Sequence, residues 1–397
     1  MRTPQLRTRH VRRGALAGIL AGTWLLAGCS AAAGPAAVPT AVAAAPAGSV
    51  PLTSSMAAAG GGTWAIVAMG GSAAQENNFW ELFARPAAGG PWRLVTPPAV
   101  ADNGGLVAAA PATGQRLDIA FRPSQDLTFS PLALTGDGGK TWATGLIDAS
   151  VADVPDALAG SGGTMLALLS DGAVDQSGAS PASGAPGGWR QLAAPGAIAA
   201  SAAGRRCQAG GLTAVALTPS GVPLAAASCA RSGSAGIFAR TGAGWQAAGP
   251  AVPGEGPVRV LRLTGTASGD TALLQAGAGA TATLLAAWSV DGAHWTVSAP
   301  LSSGTGQVLA SGTGSGGSVW VLLPGGRAEA VAGPAASWRA LPPVPRDTAA
   351  LAAGAGSGAF DALAVSGGTL TVYRLTPAGA WDQNEVIRVP LQYGSSS

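Results

Sequence analysis

Gly188-Trp189-Arg190-Gln191-Leu192-Ala193-Ala194-Pro195 is a glycine turn, a tryptophan, a few residues of strand length and a proline stop. The same phrase returns at Pro91-Trp92-Arg93-Leu94-Val95-Thr96-Pro97, at Gly244-Trp245 running to Pro250, at His294-Trp295 running to Pro300 and at Ser337-Trp338 running to Pro342. Looser copies at Thr141-Trp142 to Ile147 and at Ala380-Trp381 to Pro390 bring the number to seven, with successive tryptophans 43 to 56 residues apart. A repeat of that length built only from short strands and turns signals stacked sheet units, each of which buries its faces against its neighbours.

Between these tryptophans the chain breaks into strand-length runs bounded by Gly, Pro, Asn, Asp and Ser clusters. In the second unit they are Gly105 to Ala110, Arg116 to Phe121, Phe129 to Leu134 and Trp142 to Ile147. The fifth repeats the pattern at Val258 to Leu263, Thr271 to Gln275, Thr283 to Ser289 and Trp295 to Ala299. Four strands per unit over residues 50–397 predict an all-β fold, a seven-bladed β-propeller whose recurrent Trp opens the outermost strand of each blade. A pair of β-sandwiches is the competing architecture, and the regular Trp spacing favours the propeller. Pro and Gly interrupt every candidate amphipathic helix in this region. The glycine-rich stretch from Ser177 to Gly188 obscures the third strand of unit three. Val386 to Leu391 is the candidate for a strand lent by the C-terminus to blade one.

The N-terminus carries an address. Arg2, Arg7, Arg9, Arg12 and Arg13 precede an apolar run from Gly14 to Ala27, which is short of the ~20 residues a membrane-spanning helix needs and reads as a secretory signal. It ends in Leu26-Ala27-Gly28-Cys29, which resembles the lipobox of bacterial lipoproteins. That resemblance implies removal of residues 1–28, a lipid anchor on Cys29, and retention at the extracytoplasmic face of the cell membrane; the competing reading is an ordinary cleaved signal. Two acyl chains suffice for stable anchoring. Residues 29–49, rich in Ala and Pro, form a flexible tether. Five of the 22 basic residues leave with the signal, which holds no acid, so 17 remain against 19 acidic ones. That balance excludes a nucleic-acid-binding class. Cys207 and Cys229, the other two cysteines, are expected to form a disulfide in an oxidising compartment, the alternative being two buried thiols.

Thr135-Gly136-Asp137-Gly138-Gly139-Lys140-Thr141-Trp142 resembles the Asp-box, a hairpin of sialidases and many other propellers, and Ser289-Val290-Asp291-Gly292-Ala293-His294-Trp295 is a shortened version. The resemblance implies a structural role for Asp137, Gly139, Thr141 and Trp142, and likewise for Asp291 and Trp295. The carboxylate accepts backbone N–H bonds across the turn, and Gly takes the positive-φ position.

Chemistry is sparse. A sialidase-like hydrolase is the enzymatic alternative, and Phe121-Arg122-Pro123 is similar to part of that family's first arginine motif. The two tyrosines, Tyr373 and Tyr393, both fall in the last unit. Once the signal is removed, His294 is the sole histidine, too few for a His-built metal site or for a supported catalytic triad. No catalytic residue, metal ligand or cofactor is assigned. The densest polar patch lies on the loops expected to share one propeller face: Glu76, Asn77 and Asn78, then Asp102, then Arg122 and Asp126, then Asp153. Together these features predict a membrane-anchored, non-catalytic binding or assembly module for a protein or glycan.

Overall fold

The computed structural model describes residues 54–57, 62–69, 79–86, 90–97, 106–109, 116–121, 129–148, 154–178 and 188–389, apart from 232, 255, 267, 305–306 and 354–358. The expected signal (residues 1–28) and tether (residues 29–49) lie outside these residues. Among the described residues the strands form seven antiparallel four-stranded meanders. The first comprises Ser54–Ala57, Thr63–Met69, Phe79–Arg85 and Arg93–Leu94; the second Leu106–Ala109, Leu117–Phe121, Phe129–Thr135 and Ala143–Asp148. The third runs through Ala157–Ser161, Thr164–Leu168, Val174–Ser177 and Trp189–Ala193; the fourth through Ala209–Leu217, Pro223–Cys229, Gly236–Thr241 and Gly244–Ala247. The fifth holds Val258–Thr266, Gly269–Ala276, Thr283–Ser289 and Trp295–Val297; the sixth Ala310–Thr313, Val319–Leu323, Arg327–Val331 and Arg339–Ala340. The seventh is Thr348–Ala353, Phe360–Ser366, Thr369–Leu375 and Trp381–Arg388.

The core is a circuit of apolar joints. Trp64, Ile66 and Leu82 of the first unit pack against Leu106, Leu117 and Ile119 of the second, and equivalent clusters join each unit to the next. The last cluster sets Ala350, Leu363, Leu370 and Val372 of the seventh unit against Val67, Met69, Phe83 and Trp92 of the first. Each sheet thus buries both faces against neighbours, and the circuit closes on itself as a β-propeller. Second strands such as Val319–Leu323 are buried along their length, while outermost strands such as Arg93–Leu94 lie exposed at the rim.

The repeated tryptophan fastens successive blades. The Trp189 indole N–H donates to the Leu146 carbonyl (2.7 Å), Trp295 to Ala248 (2.7 Å), Trp338 to Ala299 (3.1 Å) and Trp381 to Pro342 (3.2 Å). Each acceptor stands three or four residues beyond the preceding blade's tryptophan. A half-buried indole needs both an apolar seat and an N–H acceptor, and the end of the neighbouring outer strand supplies them.

Three details differ from the sequence expectation. Val386 is not lent to blade one; it lies in the outermost strand of blade seven, Trp381–Arg388, paired with Thr369–Leu375. Instead Ser54–Ala57 pairs antiparallel with its own blade and parallel with Ala310–Thr313 of blade six. The third strand of unit three stops at Ser177, before the glycine-rich stretch. A six-residue helix, Ala202–Cys207, also appears, capped by the Ser201 hydroxyl, which accepts from the Gly204 N–H. It is too short to show helical periodicity. It ends at Cys207, whose disulfide to Cys229 ties it to the second strand of blade four, as expected.

Candidate functional site

Cys29, Glu76, Asn77, Asn78, Asp102, Arg122, Asp126 and Asp153 lie outside the described residues. The site available for description is therefore the innermost ring, formed by the first strand of each blade. Those strands read Ser-Ser-Met-Ala, Leu-Val-Ala-Ala, Ala-Leu-Ala-Gly-Ser, Ala-Gly-Gly-Leu-Thr-Ala-Val-Ala-Leu, Ala-Ser-Gly-Thr and Thr-Ala-Ala-Leu-Ala-Ala, with blade five as the exception. Among the described residues the ring carries two charged side chains, Arg259 and Arg262, both in Val258–Thr266 of blade five.

Residues three apart on a strand normally point to opposite faces. Here the register slips between Val260 and Arg262, so that Arg259 stands opposite Gln275 and Arg262 opposite Leu273. These partners are two residues apart and share a face, so the bulge places both arginines on one side. That side faces blade six, where Arg262 Nε donates to the Ser311 hydroxyl at 3.0 Å. Burial pushes the Arg262 pKa down to about 10 and lowers that of Arg259 as well; both remain cationic at neutral pH. The sequence analysis missed this pair. Its one visible signal was a strand with two arginines in a chain where one residue in ten is charged.

Of the buried carboxylates, Asp361 serves a blade joint and Asp118 a pair within its own blade. Asp361 accepts from Trp92 Nε1 at 2.8 Å and from Arg374 Nε at 3.1 Å, and it pairs with Arg85. Burial lowers the Arg85 pKa while the Asp361 charge pulls it back up. Asp118 pairs with Arg116 at 2.8 Å; its own burial pushes its pKa up, against the pull of that arginine. Asp361 and Asp118 both sit in second strands, away from the innermost ring. Tyr373 is in the third strand of blade seven, packed beside the apolar cluster between blades six and seven. Among the described residues no three His, Cys, Asp or Glu side chains gather as metal ligands.

The two aspartate turns are built alike. Asp137 accepts from the Lys140 and Thr141 N–H groups (both 3.0 Å) and from the Thr141 and Thr135 hydroxyls (2.6 and 2.8 Å). These bonds, the Thr141 hydroxyl first, hold its carboxyl well below the usual range. Asp291 accepts from the Ala293 and His294 N–H groups at 2.9 and 2.8 Å, and the His294 ring nitrogen Nδ1 lies 2.6 Å from its second oxygen. The backbone bond from His294 is the main cause of its lowered pKa, and Asp291 in turn raises that of His294. Imidazole here stands where the other turn uses the Thr141 hydroxyl. Each turn rests on the preceding blade through a positive-φ glycine. A Cβ on Gly139 would come within 2.7 Å of Val95, and one on Gly292 within 2.8 Å of Thr218. Trp142 and Trp295 follow at the start of the outer strands and pack beside the clusters joining blade one to two and four to five, respectively.

Of the solved structures compared, the two with TM-scores of 0.50 and 0.51 agree on the fold. Periplasmic gluconolactonase from Pseudomonas aeruginosa aligns over 82% of this chain and 95% of its own, at 16% identity and a TM-score of 0.50. A protein from Lactobacillus plantarum aligns over 83% and 97%, at 10% identity and a TM-score of 0.51. The six-bladed β-propeller lectin of Aleuria aurantia aligns over 86% and 96%, at 13% identity and a TM-score of 0.41. No family model and no curated protein sequence matches the chain.

Proposed function

We propose that this chain is a lipid-anchored, seven-bladed propeller at the extracytoplasmic face of the cell membrane, acting as a binding or assembly module without catalysis of its own. Cys29 carries the anchor, residues 29–49 form the tether, and the Asp137 and Asp291 turns are Asp-boxes that serve structure. The ligand is a protein or a glycan. One observation carries the binding assignment: the described innermost ring is uncharged except for Arg259 and Arg262, set on one face by a bulge. A hydrolase needs a general acid and a nucleophile or base at its centre, whereas the buried Asp361 and Asp118 here are committed to ion pairs in second strands. Likeness to gluconolactonases and a lectin is likeness of fold, and a fold hosts many functions.

The test is photo-crosslinking in intact cells from a probe placed at Thr264, beside the arginine pair, with and without Arg259→Ala/Arg262→Ala. A discrete adduct that the double variant loses supports the reading. Hydrolysis of a fluorogenic sialoside by the purified chain, abolished by the same double variant, would replace it with the sialidase-like alternative. Cys29→Ala should move the chain from the membrane to the soluble fraction; continued membrane retention would refute the anchor.

A further inference from the structure

Asp270 is the second residue of Gly269–Ala276 in blade five and is 1% exposed. Both its carboxyl oxygens are sealed from water and receive no hydrogen bond. It stands opposite Ser289, the residue that opens the Asp291 turn. The matching position opposite Thr135 in blade two is Leu117, and in blade seven it is Phe360, the residue before Asp361, which stands opposite Arg374. Both are core residues turned toward the preceding blade. Blade one has Thr63 at the end of the corresponding strand pair, and its hydroxyl donates across the joint to the Ala353 carbonyl. Asp270 therefore puts an unpartnered carboxyl where other blades put hydrocarbon or a satisfied hydroxyl.

The surroundings leave it no donor. A Cβ on Gly265 would lie 2.1 Å from the Leu217 carbonyl oxygen and 3.3 Å from Asp270 Oδ1; one on Gly292 would lie 2.8 Å from Thr218 Cγ2 and 3.4 Å from Asp270 Oδ2. The carboxyl is thus held between two glycines, against the Thr218 turn of blade four. The Thr218 hydroxyl is engaged with Ser220 and accepts from the Val222 N–H. From blade four, the segment Ala209 to Leu224 brings no ionisable side chain to this joint. From blade five, Asp291 adds a like charge, and His294 lies beyond it, hydrogen-bonded to Asp291.

We propose that Asp270 is a proton-operated joint between blades four and five: seated while its carboxyl is neutral, and loosened when the carboxyl ionises. An ionised carboxylate buried without a donor is costly, and a proton removes that cost. Burial, reinforced by Asp291, pushes the Asp270 pKa up to about 7, against about 3.9 for an unfolded aspartate. Between these values the folded chain holds a proton that the unfolded chain has released. The stability is therefore fully present below about pH 4, falls as pH rises, and its loss is complete above about pH 7.

The test is urea unfolding of the mature chain across pH for wild type, Asp270→Asn, Asp270→Leu and His294→Gln. The unfolding constant of wild type relative to either Asp270 variant should grow about tenfold per pH unit from about 4.5 to 6.5 and level off above about 7. His294→Gln should retain that growth, because an ordinary histidine is charged in both states over most of the window. Hydrogen-exchange protection factors at 217–224 and 265–270, which remove the intrinsic pH dependence of exchange, should fall in wild type as pH rises through about 7 and hold steady in Asp270→Leu. A pH-independent difference between wild type and both Asp270 variants would overturn the proposal. So would stabilisation of wild type by millimolar calcium that Asp270→Asn lacks, since the carboxylate would then be a cation ligand.

Discussion

Replacing Asp361 with alanine tests whether one carboxylate fastens blade seven to blade one. Asp361 is 1% exposed and accepts from three donors: Arg85 and Trp92 of blade one and Arg374 of its own blade. Arg85 is itself 8% exposed, so the variant strands a buried guanidinium, a loss of about 3–5 kcal/mol. The Trp92 indole N–H, on a side chain 2% exposed, loses its acceptor as well, a penalty of about 1–3 kcal/mol if counted alone. These two losses share one site and overlap, and the half-exposed Arg374 adds well under ~1 kcal/mol. The expected total is about 4 kcal/mol, close to a thousandfold in the unfolding constant. Urea denaturation followed by tryptophan fluorescence reads it as a lowered midpoint with an unchanged slope. The control is Asp361→Leu/Arg85→Met, which removes both charges and should recover all but ~1–2 kcal/mol. A loss below ~1 kcal/mol in the alanine variant, or a double variant weaker than the single, would refute the keystone assignment.

Three further outcomes follow from the joints. Cys207→Ala/Cys229→Ala should cost about 3 kcal/mol by freeing a 22-residue span, measured as the shift in urea midpoint. Trp189→Phe keeps an aromatic ring but removes the pyrrole N–H bonded to the Leu146 carbonyl; a loss of at least about 1 kcal/mol is expected, and no loss would mean that aromatic packing alone fastens the blades. Gly249→Ala would press a Cβ to 2.2 Å from the Ala235 carbonyl oxygen and should destabilise by about 1–3 kcal/mol, whereas Gly188→Ala, with open space around it, should not lower the thermal midpoint.

The tryptophans were legible because they recur at one place in each blade, where four of them, Trp189, Trp295, Trp338 and Trp381, perform the same task. An indole that must reach the end of the preceding outer strand fixes its own position, so the 43-to-56-residue spacing in sequence records blade-to-blade geometry. The cysteine pair was legible for a related reason: a covalent bond needs particular residues, and the chain offers two cysteines beyond the one expected to carry lipid. Position along one strand carries less information. Nothing near Asp361 in sequence names Arg85 as its partner, since 276 residues separate them and ring closure alone joins them. Arg259 and Arg262, three apart on a strand, would point to opposite faces without the bulge that puts them on one. Asp270 is the instructive case, because its meaning depends on alignment of the blades. Counted from its strand's start it resembles Asp118 and Asp361, each second in its strand. Counted from the turn-opening residue across the sheet it matches Leu117, a core position. The second count follows side-chain direction, because cross-strand partners share a face. Repeats aligned through the residue before each turn, and searched for charge at apolar registers, would have exposed Asp270 from the sequence. In a chain where one residue in ten is charged, such a mismatch stands out against a nearly uniform apolar background.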